Sequence, residues 1–259
     1  MYKYNILPKK IILGIGGSAT NDAAAGIFQA LGGKLYDTQG KELAKGGAAL
    51  AQLSTIESGN AKQWKNVVWQ VACDVDNPLL GPKGASHVYG PQKGAEPTTV
   101  IELEKALTHF ANCVEQQSGK SIGQYPGGGA AGGTAAGMSA FFDAELKKGF
   151  SLLAELSDLE EKIKSAKLIF TAEGRLDTQS LQGKVPVRLA EIAKKHKVPV
   201  VCLTGSCQGP YTSFFKAGID GVFPIQNGPM NLKESKDNVL HLIEDTTERI
   251  FHFYKNTRL

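Results

Sequence analysis

Residues that build metal centres and disulfide frameworks are scarce in this chain. Four cysteines, Cys73, Cys113, Cys202 and Cys207, are spread over 259 residues. None forms a C-x-x-C pair, which argues against a zinc ribbon or a thioredoxin-type centre. Cys202 and Cys207 flank what reads as a strand end, as small apolar fillers. The longest apolar runs are far too short to span a membrane, and Met1 to Lys10 lacks the apolar core and cleavage site of a signal peptide. A reducing cytoplasm, with no membrane partner, fits both absences. An excess of one charge is lacking too: 29 Lys and Arg face 25 Asp and Glu. The charges are intermixed, so a solvated surface is expected and not a nucleic-acid patch. His87, His109, His196, His241 and His252 show no Ser–His–Asp spacing, which disfavours triad hydrolysis. No G-x-x-x-x-G-K-[ST] occurs, so a Walker A loop is excluded.

Glycine, by contrast, is abundant at 30 residues and clustered, marking special loops. Lys9 to Ile15 reads as a buried strand running into Gly14-Ile15-Gly16-Gly17-Ser18-Ala19-Thr20-Asn21-Asp22. A helix is expected from Asp22 to Leu31, stopped by Gly32-Gly33. Val67 to Cys73 reads as a second strand, Thr98 to Gln117 as an amphipathic helix, and Gly137 to Lys147 as helical. From about Ser165 strands alternate with helices. Strands are expected at Lys167–Thr171, Pro199–Thr204 and Gly221–Ile225; helices at Val187–Lys195, Tyr211–Ala217 and Asp237–Tyr254. This alternation argues for an α/β fold with a parallel, doubly wound layer. Two α/β domains are expected, 1–164 and 165–259, the second a partial flavodoxin-like or Rossmann-like sheet.

The first glycine loop follows a strand and opens a helix, where backbone N–H groups can face an anion. Ser18, Thr20 and Asn21 add polar donors. The spacing Gly14-x-Gly16-x-x-Ala19 also fits a dinucleotide fingerprint, and a plain tight turn remains open. The second cluster, Gly127 to Gly137, includes Gly128, Gly129, Gly132 and Gly133. It reads either as an anion cradle or as a close contact between small residues. Asp74 and Asp76 follow a strand end, where α/β sheets bind ligands. They are candidate Mg²⁺ ligands, or turn carboxylates capping amides. Glu173, Arg175, Asp177 and Lys184 could neutralise and deprotonate reactants of phosphoryl transfer, or form a surface salt-bridge cluster.

These motifs, in this order, resemble the bacterial glycerate kinase family. The resemblance is carried by IILGIGGSATNDAAAGIFQALGGKL, VACDVDNPLLGPKGASHVYGPQKGA, PGGGAAGGTAAGMSAFF and FTAEGRLDTQSLQGKVP, followed by PVVCLTGS. It implies ATP-dependent phosphorylation of glycerate with Mg²⁺. It implies catalytic roles for Asp74, Glu173, Arg175, Asp177 and Lys184, with Asp74 and Asp76 as metal ligands. Binding roles fall to Gly16, Gly17, Ser18, Thr20, Asn21, Asp22, Asn77 and the second-cluster glycines. The family's D-S-F-K-G-type and A-D-G-G-E-G-type N-terminal motifs do not occur here. The first part of the chain resembles the family's inserted domain, and the rest half of its doubly wound domain. A truncated kinase is therefore expected, impaired unless an N-terminal fragment completes it, with a homo-oligomer as the other arrangement. A dinucleotide-dependent oxidoreductase, with Asp37 as its ribose ligand, and a non-catalytic binding remnant are the competing readings.

Overall fold

The computed structural model describes residues 7–257, and the chain divides between Leu152 and Leu153 into two compact units. The first unit contains β1 (Lys10–Gly14), α1 (Ala25–Ala30), β2 (Lys34–Tyr36), β3 (Thr55–Glu57) and β4 (Val68–Ala72). It continues through α2 (Ala85–Tyr89), α3 (Pro97–Ser118), α4 (Thr134–Phe142) and β5 (Glu145–Lys147), and α5 (Gly149–Leu156) runs across the boundary. Three of its strands form a parallel sheet in the order β1-β4-β5, while β2 and β3 pair antiparallel on their own. Helix α3 buries Val100, Leu107, Phe110 and Val114 along one face, as its helical spacing demands. Phe28 stacks on Phe141 at 4.0 Å, and Trp69 and Phe142 lie 5.2 Å apart, so aromatics fill much of this core.

The second unit contains α6 (Leu159–Ser165), β6 (Ile169–Leu176), α7 (Val185–Lys195), β7 (Val200–Cys207), α8 (Tyr211–Lys216), β8 (Gly221–Pro224), α9 (Leu232–Asp237) and α10 (Val239–Thr257). Its sheet is parallel throughout, in the order β6-β7-β8. The central strand is buried on both faces. Val200 and Cys202 pack with Ile163, Val187 and Phe214; Val201 and Leu203 pack with Leu242 and Ile250. Alternation with period 2 thus feeds two cores, one on each side of a three-layer stack.

Several boundaries differ from the sequence-based expectation. The helix expected over Gly137–Lys147 occupies Thr134–Phe142, and Glu145–Lys147 is a strand. Asp143 turns left-handed at φ 55° and ends the helix, after which the chain pairs with the free edge of β4. The helix expected from Asp22 starts only at Ala25, because Ala23 and Ala24 are left-handed. The strand expected to stop at Thr204 continues to Cys207, and β6 reaches Leu176 beside it. Cys207 is therefore inside the strand. The helix expected over Asp237–Tyr254 is α10, and a short helix not expected from the sequence, α9 over Leu232–Asp237, precedes it.

Candidate functional site

Parallel pairing brings three chain reversals to one edge of the first sheet. Gly14 lies opposite Ala72, and Ala72 opposite Lys147, so the segments after β1, β4 and β5 leave the same carboxyl edge. That edge is where open α/β sheets bind ligands. A pocket of about 320 Å³ lies there, lined by Gly16, Gly17, Ser18, Asp74, Tyr89 and Lys93 among others.

The two glycine clusters differ physically. A Cβ added at Gly14, Gly16 or Gly17 would meet nothing within 4 Å, and of the three only Gly17 has a left-handed φ, 66°. Packing therefore does not require glycine at Gly14 or Gly16; their bareness leaves room in front of the loop. In the second cluster the same test meets protein. A Cβ at Gly129 would lie 2.2 Å from the Pro78 carbonyl oxygen, at Gly132 2.0 Å from that of Thr20, and at Gly137 1.7 Å from that of Ala23. A Cβ at Gly128 would meet the Tyr125 carbonyl, and one at Gly133 the Leu79 side chain and Ala23. Of these, Gly132, Gly133 and Gly137 lie against the segment Thr20–Ala24, where Ala23 donates its amide to the Gly132 carbonyl. Ala23 and Ala24 are both left-handed and buried. That conformation costs about 1–2 kcal/mol per residue and persists only under such confinement.

Polar residues of the loop are braced as well. Thr20 donates to Asp22 Oδ1 at 2.6 Å, and Asp22 Oδ2 accepts from the Gly26 amide at 3.0 Å. Asn21 Nδ2 donates to Ser86 Oγ, while its buried Oδ1 has no partner among the described residues. Asn77 donates to the Lys83 carbonyl and accepts from the Tyr89 hydroxyl at 2.8 Å. Asp74 Oδ1 accepts from the Gly149 amide at 2.8 Å, and Asp76 pairs with Lys148 at 2.8 Å. Among the described residues no three His, Cys, Asp or Glu side chains cluster as a metal site.

Lys93 was not singled out by its sequence. Its Nζ donates to Ser18 Oγ at 3.0 Å and to the Thr20 carbonyl at 2.7 Å. Burial pulls its pKa below the ordinary lysine value, partly offset by the charge of Asp22. The signal available was a lysine framed by turn residues in Gly90-Pro91-Gln92-Lys93-Gly94.

The second unit places Glu173 beside a more apolar pocket of about 470 Å³, with Thr204, Ser206, Gln226 and Leu232 also lining it. Arg175 contacts Gln208 and lies 3.5 Å from Asp177 Oδ2. Asp177 caps the turn Thr178–Gln182, accepting from the Ser180 amide. Burial alone would raise its carboxyl. The Ser180 amide, the charge of Lys184, the Ser180 hydroxyl and the Gln179 amide outweigh it, holding the pKa below the usual value. Lys184 is exposed at the N-terminus of α7.

A dinucleotide-binding turn does not fit the first loop. Helix α1 begins well after the glycines, and Asp37 follows a strand of the separate antiparallel pair. Its carboxylate accepts from the Gln39 and Lys41 amides of its own turn. Among the histidines, His87 is exposed, His109 contacts the Leu53 carbonyl at 2.6 Å and His196 pairs with Glu160 at 2.8 Å.

The sequence pattern of the glycerate kinase family matches residues 6–255. A glycerate kinase of Halalkalibacterium halodurans is 44% identical over 243 residues, covering 93% of this chain and 64% of that protein. A glycerate 2-kinase of Escherichia coli is 44% identical over 226 residues, covering 87% and 59%. The crystal structure of a glycerate kinase 2 from Salmonella typhimurium superposes with a TM-score of 0.83 at 39% identity, covering 96% of this chain and 65% of that one. This chain thus spans less than two thirds of the length of these relatives.

Proposed function

The chain belongs to the glycerate kinase family, and from that premise we propose that it serves ATP-dependent transfer of a phosphoryl group to glycerate, giving phosphoglycerate. The observation that supports this best is the open glycine loop sharing one pocket with Asp74 and Lys93. Phosphoryl transfer asks a protein mainly for positioning and charge neutralisation. In this reading Gly16, Gly17, Ser18 and Thr20 face the anionic reactants, and Asn21, Asp22 and Asn77 hold the loop and its opposite wall. Gly132 and Gly133 act by letting the backbone seat that loop closely, and Gly128 and Gly129 by close approach to Tyr125 and Pro78. Asp74 accepts the proton of the attacking hydroxyl, with Asp177 as the other carboxylate suited to that role. On the second unit Glu173, Arg175 and Lys184 are the other residues proposed as catalytic, the two cations suited to countering phosphate charge.

Magnesium is satisfied by one or two carboxylates plus phosphate oxygens. Asp74, which keeps an oxygen beyond its Gly149 bond, and Asp76, once released from Lys148, fit that modest demand. When bound, the ion would neutralise phosphate charge. Cytoplasmic activity on small molecules is part of the same proposal. A coupled ADP-release assay tests it: turnover should require glycerate and fall about 100-fold or more in Asp74→Asn. ADP release indifferent to glycerate would contradict the reading. Sedimentation of the same sample, with and without an added N-terminal fragment of a relative, reports whether a second copy or that fragment is engaged.

A further inference from the structure

We propose that Lys93 and the loop Gly16–Ser18 form an oxyanion subsite that takes a carboxylate or phosphate group of a small reactant. The identity of the reactant rests on the kinase reading above; the subsite rests on donors and space. An ammonium group has three donors and no acceptor. Two donors of Lys93 go to uncharged oxygens, Ser18 Oγ and the Thr20 carbonyl. The nearest acid of the loop, Asp22, spends its oxygens on Thr20 and on the Gly26 amide. No carboxylate of the described residues pairs with Lys93 within 4.0 Å. A half-buried cation with neutral partners carries a desolvation cost that an incoming anion would offset.

The loop beside it is equally unspent. Among the described residues the amides of Gly16, Gly17 and Ser18 donate to no protein acceptor. The space a side chain would take at Gly16 or Gly17 is open. Ser18 accepts from Lys93, which leaves its own hydroxyl hydrogen to donate. Successive free amides and an ammonium around one concavity make an anion nest. Asp74 also lines the pocket and repels an anion. Its place suits the hydroxyl end of a reactant whose charged end lies against Lys93.

The test uses the full chain, ¹⁵N-labelled, titrated separately with inorganic phosphate and with glycerate. The Gly16, Gly17 and Ser18 amide resonances should move and saturate, and the ion that saturates at lower concentration names the source. Lys93→Met and Gly16→Val should each weaken that binding about tenfold or more, while Lys93→Arg retains most of it. Gly16→Val fills open space, so a thermal midpoint close to that of the parent is expected with it. Amides that ignore both ions, or unchanged affinity in Lys93→Met and Gly16→Val, overturn the subsite. Amides that respond to phosphate in a chain without glycerate-dependent ADP release leave the subsite standing and remove the kinase reading.

Discussion

At Gly16 a methyl group would enter open space, whereas at Gly137 it would lie 1.7 Å from the Ala23 carbonyl oxygen. The two positions look alike in sequence, each a glycine in a glycine-rich run. Their substitutions are expected to separate cleanly. Gly16→Ala should change stability by no more than about 1 kcal/mol, since its backbone suits alanine. Gly137→Ala should cost about 3 kcal/mol or more, because rigid backbone, not a flexible side chain, is in the way. Urea midpoints of the two variants decide, and a stable Gly137→Ala protein would contradict the packing described. Spacing alone could not distinguish these roles, because it shows where side chains are missing and not what fills the gap. Lys93 escaped notice for a related reason: its partners, Ser18 and Thr20, lie more than seventy residues away along the chain.

Asp177 shows how one element can absorb a residue that also reads as catalytic. It caps the turn Thr178–Gln182 through reciprocal bonds with Ser180. Its folded-state pKa lies below the ordinary 3.8, so the group stabilises the fold above that value and loses this contribution as pH falls through the folded pKa. Asp177→Asn should therefore flatten the decline of the urea midpoint between about pH 5 and 3. An unchanged acid limb would contradict the capping role. The alternating strands and helices of the second unit were readable because β7 is buried on both faces and its apolar run is uninterrupted. Strand β5 was not readable. Its three residues are short and charged at both ends, and they become a strand only by pairing with β4. The early helix start at Asp22 failed because tertiary contact with Gly132 and Gly137 holds Ala23 and Ala24 left-handed against their propensity.

Among the described residues, two parallel sheets each carry a pocket beside their carboxyl ends. No helix among the described residues is long and apolar enough to cross a membrane. Family membership follows from a match over residues 6–255, and the fold matches a solved glycerate kinase 2 at a TM-score of 0.83. The chemical order of events, hydroxyl attack with a carboxylate taking the proton and cations holding the phosphates, belongs to the proposal built on that membership. Phosphorus NMR of the chain incubated with MgATP and glycerate tests it most directly. The γ-phosphate resonance of ATP should decline as a phosphomonoester resonance of phosphoglycerate grows, with no signal of free phosphate in step. ATP that persists unchanged, or that yields only free phosphate whether or not glycerate is present, would contradict it.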